Sequence, residues 1–119
     1  MALDGSDGHR DHVHLRDALA LAVAGPGRRP RLIHSSLANS LMRRWAEERA
    51  GSDTVYLSLD LDALGRPDAE LTAIDTSAVL AVREEALACH RSQASPFDGL
   101  SPELRRAFLT TDHIQEIHP

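Results

Sequence analysis

Three of the seven histidines crowd into the stretch Gly8-His9-Arg10-Asp11-His12-Val13-His14. Neutral imidazole is a good zinc ligand, and His9 and His12, three residues apart, can face one point from the start of a helix. Asp11 between them suits either of two jobs. It can fix the tautomer of a neighbouring imidazole, or it can complement the positive end of a helix dipole. A catalytic zinc takes three protein ligands and keeps a further position for water, so the cluster accounts for only part of such a centre. On spacing alone the plainer reading, solvated or capping histidines, takes precedence.

A second group of candidates follows residue 78. Val79, Val82, Ala86 and Cys89 recur at helical spacing, and His90 and Gln93 fall near the same stripe. Both polar side chains can then reach the rim of a pocket beside that helix, or satisfy nearby backbone groups as buried polar atoms must. For His90 the second role comes first. Cys89 reads as a small buried hydrophobe rather than a nucleophile, because no cationic partner accompanies it. Asp60, Asp62 and Asp68 around Gly65 lack the spacing and the terminal bidentate Glu of a calcium loop, which leaves a solvated turn. His34, His113 and His118 have no partner pattern and default to structural or exposed positions.

These residues need elements to position them. Leu15, Ala18, Leu19, Ala22 and Val23 predict a helix over about 10–24, ended by Gly25 and Pro26. A strand is expected at 32–35, then a helix capped by Asn39 or Ser40 with Leu41, Met42, Trp45 and Ala46 on its apolar face and Gly51 beyond its end. A strand over 55–59 and a polar connection over 60–68 come next, followed by an extended segment at 71–74. Asp75 is a good N-cap for the helix that carries His90. Ser101-Pro102 opens a last helix with the stripe Leu104, Ala107 and Phe108.

Two stretches in this order carry a resemblance. Gly8-His9-Arg10-Asp11-His12-Val13, ahead of an Ala-rich helix, resembles the second signature block of the PIG-L/LmbE zinc-dependent N-deacetylases, Gly-His-Pro-Asp-His. Thr72-Ala73-Ile74-Asp75, then a helix ending Ala88-Cys89-His90-Arg91-Ser92-Gln93, is similar to the C-terminal Ile-Asp and His-x-Ser-Gln segments of that family. Order and spacing agree, and the resemblance covers nearly the whole chain. Arg10 stands where the family has proline, a change compatible with a first helical turn. The family's first block, His-Pro-Asp-Asp, is absent, and with it two metal ligands and the general base.

The resemblance implies roles. His12 matches a zinc ligand, His9 the imidazole that stabilises the oxyanion and assists the leaving amine, and Asp11 a supporting catalytic residue. His90 and Gln93 would bind substrate at the pocket rim, the Gln93 amide reaching a sugar hydroxyl. The complete enzyme uses zinc to activate water and hydrolyses an acetamide on an amino sugar or glycoconjugate to amine and acetate. The implied fold is α/β, the C-terminal part of a Rossmann-like, doubly wound deacetylase, with residues 1–119 as one partial domain. Such a fragment is expected to be inactive alone and to self-associate through uncovered surfaces, or to pair with a separate N-terminal half. The reading from another class is a non-catalytic remnant serving as a metal-binding or protein-interaction module.

Composition narrows the field further. A chain of 119 residues, 42% hydrophobic and 26% charged, has room for one ordinary core. Its net charge of -5 opposes a phosphate backbone, and few aromatics are present for bases to stack on, so nucleic acid is not expected as a partner. No apolar run is long enough for a transmembrane segment. One cysteine excludes a disulfide within the chain, and with no secretory signal pattern the expected compartment is the cytoplasm.

Overall fold

The computed structural model describes residues 10–24, 31–51, 64–92 and 95–117. In chain order these form helix α1 (Arg10–Val23), strand β1 (Leu32–Ser36), helix α2 (Asn39–Glu48), strand β2 (Thr72–Asp75), helix α3 (Leu80–Cys89), helix α4 (Pro102–Thr110) and strand β3 (Thr111–Ile117). Short 3-10 turns at Asp68–Glu70 and Ser77–Val79 lead into β2 and α3. The expected strand over 55–59 lies outside the described residues.

Mixed α/β is therefore the class, but the sheet differs from the expected one. Its three strands run in the order β1-β3-β2, and both ladders are antiparallel. The parallel pairing of a doubly wound sheet does not occur among the described strands. The central strand is β3, mostly polar with only Ile114 and Ile117 as apolar residues and no apolar run. Backbone pairing on both sides holds it, with Ser36 opposite His113 and His113 opposite Ala73. A bidentate pair of Arg31 with Glu116, 2.9 Å at each oxygen, closes the open end of the β1–β3 ladder.

The core is small and centres on α4. Leu104 and Leu109 are fully covered and Phe108 nearly so, with Ala38, Ala46 and Leu64 around them. Full burial of a leucine contributes about 1.5–3 kcal/mol, so these side chains anchor α4 between α2, α3 and the sheet. The expected stripe on α4 is thus realised, with Leu109 joining it. Its start is also as expected: Pro102 stands at the first helical position, and Ser101 Oγ accepts from the Leu104 N–H at 3.2 Å.

Helix α2 begins differently from expectation. Ala38 is the N-cap and offers no side-chain acceptor. The capping comes from across the chain, where the Asp68 carboxylate accepts from both the Ser40 N–H and the Ser40 hydroxyl. Asn39 turns its amide back to the Leu64 carbonyl at 2.7 Å. Asp68 is an exposed turn residue, as expected, that also serves as a remote cap, and these hydrogen bonds hold its carboxyl below its ordinary range.

The stripe expected to be buried on α3 is not. Val79 is 48% exposed and Val82 65%, and Ala86 and Cys89 are exposed as well. The helix starts only at Leu80, and it turns Leu80, Arg83 and Leu87 toward the rest of the molecule. Arg83 can sit on this face because its aliphatic stem packs while the guanidinium finds acceptors. Cys89 is accordingly a surface thiol.

Candidate functional site

The N-terminal candidates stand at the first turn of α1. Asp11 is exposed and His12 half-buried there. His9, the expected oxyanion imidazole, lies outside the described residues, as does Gln93. Helix α1 contributes no buried residue, and Leu15, Leu19 and Leu21 on it are 50%, 39% and 77% exposed. Among the described residues, no three His, Cys, Asp or Glu side chains converge to hold a metal ion. His12 with its neighbour Asp11 falls short of the three-ligand set of a catalytic zinc.

His90 lies elsewhere, at the C-cap of α3. Together with Arg83, Ala86 and Leu87 from α3, Phe97 from the following turn and Leu109 from α4, it lines a groove of about 310 Å³. Arg83, Leu87 and His90 fall on one helical face because their spacing is four and then three residues. The groove is open to solvent and mostly apolar, with Arg83 and His90 along its α3 wall.

Four hydrogen bonds fix that wall. The Arg83 guanidinium donates to Thr76 Oγ1 at 2.8 Å and to Asp112 Oδ1 at 2.9 Å. Thr76 Oγ1 in turn donates to the Leu109 carbonyl at 3.3 Å, and the Thr76 N–H to that of Thr110 at 2.8 Å. The connection from β2 to α3 is thereby bonded to the α4–β3 junction. Asp75 contributes locally: its Oδ1 accepts the Ser77 N–H at 2.9 Å, capping the 3-10 turn one step before the helix it was expected to cap. That bond, chiefly to the Ser77 backbone, holds the Asp75 carboxyl below its ordinary range.

The opposite wall is held by α2. Trp45 Nε1 donates to the Pro96 carbonyl at 3.4 Å, Arg49 to the Asp98 carbonyl, and Phe97 packs on Phe108 with ring centroids 5.6 Å apart. Glu48 accepts from the Ser101 hydroxyl at 2.6 Å and from the Ser101 N–H at 2.7 Å.

No family model, curated protein or solved structure matches this chain. The site is read from its own residues. Of those anticipated, His90 lines the groove, while Asp11 and His12 share a turn of a different helix. Arg83, Thr76 and Asp112 were not anticipated. Their only trace in the sequence is an Arg at the fourth position of a helix, indistinguishable there from a solvated charge.

Proposed function

We propose that this chain is the C-terminal part of a PIG-L/LmbE-type zinc-dependent N-deacetylase acting on N-acetylated amino sugars or glycoconjugates. The observation that carries the reading is the order of two signature stretches, each beside the element it requires. Arg10 to His14 form the start of α1, and the Thr72 to Asp75 strand leads through Asp75's cap into α3, whose C-cap is His90. The doubly wound frame and the cytoplasmic setting belong to this proposal.

The described residues do not fit a complete zinc centre, since His12 and Asp11 alone fall short of three ligands. No hydrolytic step is therefore assigned to this chain by itself. Its own contribution is a pocket wall: His90 at the rim, and Arg83 bonded to Thr76 and Asp112 to hold α3 in place. Acetate release from N-acetylglucosamine conjugates, measured with the chain alone and with a family-type N-terminal segment joined ahead of Met1, tests the reading. Activity is expected only in the joined protein.

A second reading, a non-catalytic interaction module, is favoured by the exposure of Leu15, Leu19 and Leu21 on a helix with no buried residue. An isolated helix of this length is marginal in water. Failure of the joined protein to release acetate, together with a defined complex formed through α1, would select it.

A further inference from the structure

We infer that the groove between α3 and α4 is a binding site for a small carboxylate with an apolar or aromatic body, recognised through Arg83. This inference does not rest on the deacetylase reading, because it requires neither zinc nor hydrolysis. Ala86, Leu87, Phe97 and Leu109 supply the apolar lining of an open groove of about 310 Å³. Arg83 spends one N–H on Thr76 and one on Asp112, and among the described residues its other donors meet no acceptor.

A guanidinium fixed on one edge presents its remaining donors in a preset plane, which matches a carboxylate better than a flexible ammonium would. His90, about two turns further along the same face, adds a second donor at the rim. Asp112 is the competing acceptor. It neutralises part of the Arg83 charge in the absence of ligand, so removing its charge strengthens the pull on an incoming anion.

The test uses the full chain with 3-phenylpropionate as probe and 3-phenylpropionamide as its neutral match, followed by amide chemical shifts and calorimetry. The carboxylate is expected to bind, shifting resonances of α3, Phe97 and Leu109. The amide is expected to bind roughly tenfold more weakly, the scale of one lost charge-assisted hydrogen bond. Arg83→Gln should weaken carboxylate binding by a similar factor, whereas Asp112→Asn should tighten it. Ala86→Trp, which fills the groove from an exposed helix position, should abolish binding with the fold retained. Equal binding of acid and amide, no binding of either, or an Asp112→Asn variant that binds more weakly than wild type would overturn the inference.

Discussion

Glu48 shows how one carboxylate can tie two helices. Its oxygens take both the hydroxyl and the N–H of Ser101, the residue that caps α4, and these bonds hold the Glu48 carboxyl below its ordinary range. Asp68 on Ser40 and Asp75 on Ser77 are lowered by the same kind of contact. A carboxyl whose folded pKa is depressed adds stability that is fully present above its unfolded pKa and is lost as pH falls through the folded value. Urea unfolding followed against pH should therefore give a plateau near neutrality and a decline beginning around pH 4, where free carboxylates titrate. Glu48→Gln should flatten part of that acid slope. Ser101→Ala removes the cap of Leu104 as well as the Glu48 contact. It is expected to cost about 1 kcal/mol for the cap alone, read as a lower urea midpoint with unchanged slope.

The joint between β1 and α2 makes a sharper demand on a single position. Gly65 has φ +77°, and a Cβ there would lie 2.6 Å from the Leu37 carbonyl oxygen and 3.2 Å from the Ala38 carbonyl carbon. The approach is that close because Arg66 pairs on both sides, its N–H donating to Leu37 and its carbonyl accepting from Asn39, each at 2.8 Å. Gly51 also has a positive φ, at +86°, but nothing among the described residues stands within 4 Å of its would-be Cβ. Gly51→Ala should thus cost about 1–2 kcal/mol, the left-handed penalty alone, and Gly65→Ala clearly more, as compared by thermal melts of the two variants. This contrast also marks what the sequence could disclose. Apolar spacing and the Ser101-Pro102 pair located α4 and its start, because those signals are local. The Asp68 cap of α2 and the Arg83 pair with Asp112 join residues 28 and 29 positions apart, which no local pattern encodes. Strand β3 escaped for a related reason, since a strand paired on both sides gains from its neighbours' backbones what its own side chains do not supply. The α3 stripe was misread because Val79 and Val82 have helical spacing but face outward.

At the scale of the whole molecule, the question is what the exposed helix α1 and the groove can do together. Leu15, Leu19 and Leu21 are exposed on α1, and among the described strands β1 and β2 are the edges of the sheet. Uncovered helix faces and unpaired strand edges favour association. Sedimentation of the chain should show concentration-dependent oligomers, reduced by Leu15→Glu; a monodisperse monomer with a sharp thermal transition would argue for a self-sufficient domain. Catalysis sets the stricter requirement. Under the deacetylase proposal, the isolated chain lacks a group to take the proton from attacking water, and such help typically contributes about 10² to 10⁴-fold in rate. Among the described residues no three potential ligands converge around His12, and the proposal assigns the remaining metal ligands to the absent His-Pro-Asp-Asp block. Zinc should accordingly leave the isolated chain on dialysis, and acetate release should be undetectable. In the joined protein His12→Ala should remove both bound zinc and turnover, whereas His9→Ala should lower turnover with zinc retained, because a ligand acts on the metal and an oxyanion donor acts on developing charge. Zinc content measured beside acetate release separates the two, and zinc-independent release that survives both substitutions would exclude the proposed chemistry.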